Sequence, residues 1–298
     1  MCKKRNSMTI IILAIGLATI WGLSGCQKTT SPPAETNTPS VPTASPVPPT
    51  PTPVPAALTV NGEPVLQIVY DAWLASYEIA HPQASAEDAR QAVLDELIPQ
   101  SLLAQSAAAN GFTISEADLD ARIQQAAVDA GGAQALADWQ TANGFTPQSF
   151  RESLRLAAAA AWQRDQIAAS VPLEVEQVHA RQLLLLDETT ASQYLSRLES
   201  GADFATIAWI VDPTLGGDLS WFPRGYLTQP AVEEAAFSLE AGQISGIIQS
   251  DLGYHILLVI DRKVHPLTPE ARSFLQHQAV QAWLVEQQAT SQIDILLP

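Results

Sequence analysis

The stretch that decides the fold opens with Asp212-Pro213-Thr214-Leu215-Gly216-Gly217-Asp218-Leu219-Ser220-Trp221-Phe222 and closes with Gly253-Tyr254-His255-Ile256-Leu257-Leu258-Val259-Ile260. Gly216-Gly217 gives the backbone φ freedom and close approach where Asp218 turns the chain toward two aromatics. Gly225 marks a second tight turn. Glu233-Glu234-Ala235-Ala236-Phe237-Ser238-Leu239 reads as a short amphipathic helix stopped by Gly242. Gly253 launches a strand whose alternation puts His255, Leu257 and Val259 on one face and Tyr254, Ile256 and Leu258 on the other.

Around this stretch lie 298 residues, enough for two modest domains and extras. The net charge is −16, from 31 acidic and 15 basic side chains. Such a surface keeps a protein in solution and disfavours nucleic acid, which needs a basic footprint. Residues 1–25 start basic (Lys3, Lys4, Arg5), continue through an apolar run from Ile10 to Trp21, and end Leu23-Ser24-Gly25 before Cys26. This is the pattern of an export signal rather than a membrane span. Its ending resembles a bacterial lipoprotein lipobox, which implies that Cys26 is lipidated, becomes the first mature residue and anchors the chain outside a bacterial membrane. Cys2 would leave with the signal, so neither a disulfide nor a thiol nucleophile remains. Residues 26–57 are rich in Pro, Thr, Ser and Val and cannot bury a core; their prolines favour extended polyproline II. At about 3.1 Å per residue, such a stalk reaches on the order of 90 Å.

Folded structure is expected from Leu58, with an Asn61-Gly62 turn after a short strand. A helical stripe of Leu66, Val69, Tyr70, Trp73, Leu74 and Tyr77 follows, read as core packing rather than as a client cradle. Ser85 and Ser115 cap the next two helices, and Pro99 lies inside the first of them. Further helices are predicted over 133–142 and 147–169, the second opened by Thr146-Pro147. Thr268-Pro269-Glu270 opens a last helix, which carries Phe274, Leu275 and Trp283 on one side. The terminal Ile293-Asp294-Ile295-Leu296-Leu297 is too apolar to be left in water, so it is expected to pair with residues 58–61.

The order Val178-His179-Ala180-Arg181-Gln182-Leu183-Leu184, Gly216-Gly217-Asp218-Leu219-Ser220-Trp221-Phe222, Arg224-Gly225, Glu233-Glu234-Ala235-Ala236-Phe237, Gly253-Tyr254-His255-Ile256 resembles the parvulin-type peptidyl-prolyl isomerase domain. The helical order before it is similar to that of exported foldases of the SurA and PrsA type. Together these imply an α+β fold: a discontinuous, mainly helical chaperone-like domain over 58–175, completed by 266–298. Into it is inserted a parvulin-like domain over 176–265, with a four-stranded antiparallel sheet plus helices. The implied partners are unfolded or proline-containing exported polypeptides, and a homodimer through the helical domain stays open.

Rotation about an X–Pro bond meets a barrier of about 18–20 kcal/mol, so a catalyst must favour the twisted amide. The parvulin family does this with a small apolar pocket beside a hydrogen-bonded cluster of two histidines, a Cys or Asp and a hydroxyl residue. The resemblance puts His255 at the second histidine and Asp212 at the Cys or Asp. Gln182 stands where the first histidine belongs, and glutamine does not titrate near neutral pH. His179 lies three residues earlier on the strand and faces the other way. Leu252 occupies a position that is often a hydroxyl residue. The pocket is read as Leu227, Val232, Phe222 and Leu219, with Leu252 at its side. These departures leave two readings, a slow isomerase and a peptide-binding chaperone without appreciable turnover, besides a scaffold with no client work. Asp187-Glu188-Thr189-Thr190 is acidic where a phosphate-directed member needs Arg or Lys, which disfavours phosphorylated substrates. No cofactor is called for, and the five histidines show no metal-ligand spacing.

Overall fold

A computed structural model of the protein describes residues 55–297; the export signal, Cys26 and nearly all of the stalk lie outside the described residues. By its internal contacts the chain divides into two compact units. One holds the described residues up to Leu94, Ser115–Ala157 and those from Gln292 onward; the other holds Asp95–Ile114 and Ala158–Ser291. Two of the four cuts fall inside long helices, α2 (Ala86–Ala109) and α5 (Pro147–Ala169).

The first unit is built on a three-stranded antiparallel sheet of order β2-β1-β7, with β1 at Ala56–Val60, β2 at Glu63–Leu66 and β7 at Ile293–Ile295. Asn61 and Gly62 both take positive φ, 52° and 80°, as a two-residue hairpin turn requires. The last strand returns to the first: Leu58 pairs with Ile295 and Val60 with Ile293. The strand takes in Ala56 and Ala57, which composition alone assigns to the stalk. Ala57 is fully buried, and its carbonyl accepts the Leu296 N–H at 2.9 Å. Alongside lie α1 (Gln67–Ala80), α3 (Glu116–Ala130) and α4 (Ala133–Ala142). The α1 stripe is packing: Val69 and Tyr70 are buried, and the Trp73 indole N–H donates to Ser153 Oγ at 3.0 Å. Ser115 caps α3 by accepting the Asp118 N–H at 3.1 Å, and Gly131 ends that helix in the left-handed region.

The second unit carries a four-stranded antiparallel sheet of order β4-β3-β6-β5. Its strands are β3 (Glu174–Leu185), β4 (Asp218–Pro223), β5 (Ile248–Ser250) and β6 (Gly253–Pro266). Strand alternation divides its side chains between two cores. Leu183, Leu185 and Ile256 meet α6 (Glu188–Glu199) and α7 (Phe204–Val211) through Ala191, Leu198, Phe204, Ile207 and Ala208. On the other face Val178, Ala180, Phe222, Leu257 and Val259 meet α8 (Pro230–Ser238) through Val232, Ala236 and Phe237. Each buried Leu, Val or Phe contributes about 1.5–3 kcal/mol by leaving water. In β6, Ile260 is an extra residue between the pairs Ala180–Val259 and His179–Asp261, so the side chains beyond this bulge exchange faces. The last helix, α9 (Pro269–Thr290), starts at the Thr268 cap and belongs to this second unit.

Candidate functional site

β3 and β6 pair so that Leu184 stands opposite His255 and Gln182 opposite Leu257. Gln182 and His255 are therefore diagonal neighbours on the α8 face of the sheet, within reach of one another. The His255 Nδ1 lies 2.9 Å from Gln182 Oε1, and its Nε2 lies 2.6 Å from Ser250 Oγ. Ser250 Oγ also accepts the Leu252 N–H at 3.1 Å. One proton arrangement satisfies all three contacts: Nδ1–H donates to Gln182, and the Ser250 hydroxyl donates to Nε2. The imidazole is 1% exposed, and burial pushes its pKa below the ordinary histidine value, so it is neutral at pH 7. Both ring nitrogens are engaged. Among the described residues the Gln182 carboxamide NH2 makes no hydrogen bond.

Ser250 is the member that sequence reading missed. The resemblance puts the hydroxyl position next to Gly253, at Leu252, whereas the hairpin pairs Ser250 with Gly253 and Ile248 with His255. That register brings Ser250, two residues beyond Ile248, to the imidazole. A Ser-Asp-x-Gly turn ahead of the strand was the available signal. Leu252 itself sits at the turn, 53% exposed.

Asp212 does not bond to His255. It ends α7 and gathers its own loop: Oδ1 accepts the N–H groups of Thr214 (3.0 Å) and Leu215 (3.2 Å), and Oδ2 accepts that of Gly217 (3.0 Å). The Gly217 N–H foremost, then those of Thr214 and Leu215, holds this carboxyl below the usual aspartate range. The link to the site is indirect, since the Gly217 carbonyl accepts the Gln182 N–H at 2.8 Å. Gly217 has φ +66°, and a Cβ there would collide with the Gln182 carbonyl oxygen. The close backbone approach read from the Gly-Gly pair is this contact.

The apolar residues separate by depth. Phe222 and Val232 are 0% and 2% exposed, so they form the floor of the α8-side core, while Leu219 and Leu227 are half-buried at its margin. His179 is on the opposite face, 2.9 Å from Asp218 Oδ1 and beside the Trp221 ring. The acidic Asp187 caps α6, accepting the Thr190 N–H at 2.8 Å, so its charge serves the helix. No group of three or more His, Cys, Asp or Glu among the described residues is placed to hold a metal ion.

A four-stranded antiparallel sheet with a Gln–His–Ser row on one face, beside an apolar cluster, defines a parvulin domain attached to a helical domain. Comparison with known proteins agrees: residues 187–261 match the PPIC-type PPIase (rotamase) domain family, and residues 2–161 match the SurA-like N-terminal domain family. The second match takes in more than half of the sequence, and the chain belongs to this SurA-like family. The foldase protein PrsA of Halalkalibacterium halodurans is 46% identical over 92 residues, 29% of this chain and 27% of that one. The PrsA foldase of Caldanaerobacter subterraneus subsp. tengcongensis is 31% identical over 183 residues, 56% of each chain. The matches thus span from about a quarter to just over half of these relatives' own lengths. A crystal structure of the peptidylprolyl isomerase PrsA from Bacillus cereus aligns with a TM-score of 0.45 at 22% identity, over 69% of this chain and 83% of that chain.

Proposed function

We propose that this chain is an exported foldase, tethered to a bacterial membrane through lipidated Cys26, whose parvulin domain binds prolyl segments of unfolded polypeptides and isomerises them slowly. The observation that carries this reading is the hydrogen-bonded row Gln182–His255–Ser250, on the same sheet face as the cluster to which Leu219 and Leu227 belong. A proline ring on that apolar margin leaves water, and the row supplies a fixed dipole beside its amide. Twisting the amide requires no nucleophile and no net proton transfer, so a neutral row suffices. Gln182 is the donor for the peptide carbonyl. His255, buried and bonded on both sides, is a positioning residue that fixes the Gln182 carboxamide. An NMR exchange assay on an Ala-Leu-Pro-Phe peptide tests this: the wild-type chain accelerates isomerisation, and Gln182→Ala and His255→Ala each lower the rate. A His255→Ala rate equal to wild type removes the imidazole from the mechanism.

The sealed imidazole also favours a second reading, prolyl-segment binding without turnover, because His255 is 1% exposed and bonded at both ring nitrogens, so its own nitrogens do not reach the peptide. Peptide binding with no rate enhancement, together with suppressed aggregation of an unfolded client, selects it. The tether rests on Leu23-Ser24-Gly25-Cys26, at the end of the basic and apolar run of residues 3–21. Cys26→Ala is expected to release the chain from the membrane fraction, and retention of that variant overturns the lipid anchor.

A further inference from the structure

Arg224-Gly225-Tyr226-Leu227 forms the loop that carries Leu227 to the margin of the apolar cluster, and the backbone of residues 225–227 is held from two sides by side chains. From α8, Glu233 accepts three consecutive N–H groups: Gly225 at 2.7 Å on Oε1, and Tyr226 and Leu227 at 3.0 Å each on Oε2. From α9, Gln278 Nε2 donates to the Gly225 carbonyl at 2.8 Å. The Phe274 ring meets the Tyr226 ring edge-on, with centroids 5.3 Å apart. Gly225 makes the second approach feasible, because a Cβ there would lie 2.8 Å from Gln278 Oε1. The loop has no strand ladder of its own, so these side chains satisfy its polar backbone groups.

We propose that Glu233 and Gln278 are positioning residues for the proline-binding loop, and that α9, which begins beyond the matched isomerase segment, is a working part of that subsite. A carboxylate engaged with three adjacent N–H groups fixes the peptide planes of residues 225–227 and with them the direction of the Leu227 side chain. Gln278 and Phe274, one turn apart on α9, fix the same loop against that helix. Affinity for the proline ring then depends on α9 although α9 does not touch the peptide. This rests on the prolyl-site reading above.

The test uses the full chain, with Ala-Leu-Pro-Phe as probe, and separates binding from exchange at saturation. Glu233→Gln, which keeps size but leaves three donors with one acceptor, is expected to weaken the peptide Kd about tenfold. Gln278→Ala is expected to weaken it about threefold, and the saturated exchange rate of both variants stays within about twofold of wild type. Gln278→Lys restores a donor for the Gly225 carbonyl and is expected to recover most of the lost affinity. Hydrogen exchange at the Gly225, Tyr226 and Leu227 amides reports whether the loop has been freed; freed amides with an unchanged Kd overturn the proposal. Should Glu233→Gln fail to fold, the exposed Gln278→Ala with its Lys rescue decides alone, and an unchanged Kd there overturns the role of α9. A wild-type chain that neither binds nor isomerises the peptide overturns the prolyl-site reading and this inference with it, whereas an active wild type with unaffected variants overturns only the inference.

Discussion

Asp212 and Glu233 each gather three backbone N–H groups around one carboxylate, the first from its own loop two to five residues ahead, the second from a loop six to eight residues behind. Both loops contain a glycine at positive φ, Gly217 at 66° and Gly225 at 80°. The consequences differ. The Asp212 loop is closed on itself and then pressed backbone-to-backbone on Gln182. The Gly225 loop is open, and its shape comes from two helices that reach over to it. A self-closed loop with a backbone neighbour has nowhere to relax; a loop held by side chains can give. The Asp212 loop therefore bears on the polar row through the Gln182 backbone, and the Gly225 loop bears on the apolar margin through Leu227.

The sharpest break of this contrast is alanine at each glycine. At Gly217 the added Cβ meets the Gln182 carbonyl oxygen, a strand backbone atom, and positive φ adds its own strain. Gly217→Ala is expected to cost about 3 kcal/mol or more in denaturant unfolding. It should also perturb the Gln182–His255 contact, seen as shifted His255 ring resonances. At Gly225 the nearest atom is the end of the exposed Gln278 side chain, which can rotate away. Gly225→Ala should cost about 1–2 kcal/mol, mostly the φ strain. Gly225→Ala combined with Gln278→Ala should cost less than the sum of the two. Equal costs at the two glycines would erase the distinction between the loops.

The same contrast explains what was legible in the residues alone. Asp212-Pro213 followed by Gly216-Gly217 announces a tight local turn, because aspartate bonds to backbone a few positions on and glycine admits positive φ. The alternation of residues 253–259, the caps at Ser85, Ser115 and Thr268, and the stranded apolar tail at Ile293 are equally local or compositional signals; they located individual elements, while the α+β architecture followed from the order of motifs that resembles a parvulin-type domain and from the helical order before it. Glu233 was not legible. It stands next to Glu234 on an amphipathic helix, where both read as solvated charges; only the fold shows that Glu234 lies 3.6 Å from Arg224 while Glu233 reaches three amides. Ser250 required a hairpin register, and the depth of Phe222 and Val232 required the packing of α8. The unit boundaries inside α2 and α5 carry no punctuation, since a continuous helix shows no break at residues 94–95 or 157–158.

Titration separates the polar row from the loop beneath it. The His255 imidazole is neutral in the fold because burial lowers its pKa, while the unfolded chain has an ordinary histidine near 6.5. As pH falls below that value the unfolded chain takes up the proton first, so stability declines until the folded imidazole is protonated too. Above about pH 7 this contribution is constant. His255→Asn should flatten the slope below about pH 6.5, although its own stability is lower, because the Gln182 and Ser250 contacts are lost or lengthened. A slope unchanged by that variant would mean that another histidine sets it.

The smallest expected effect belongs to Asp212, and its sign is fixed by the loop it closes. Its folded pKa is depressed by the Gly217, Thr214 and Leu215 amides, so its contribution is present above the unfolded aspartate value and disappears as pH falls through the folded one, below about pH 4. Asp212→Asn retains one acceptor oxygen for three donors. It should lower the unfolding midpoint slightly at pH 7 and remove part of the acid limb, leaving the histidine slope near pH 6 intact. Because Gly217 hands the loop's position on to the Gln182 N–H, the same variant should raise hydrogen exchange at the Gln182 amide more than at the Leu227 amide. Glu233→Gln should reverse that order. If both amides respond equally to either carboxylate, the two loops are one mechanical element, and the division between a rigid polar side and an adaptable apolar side is lost.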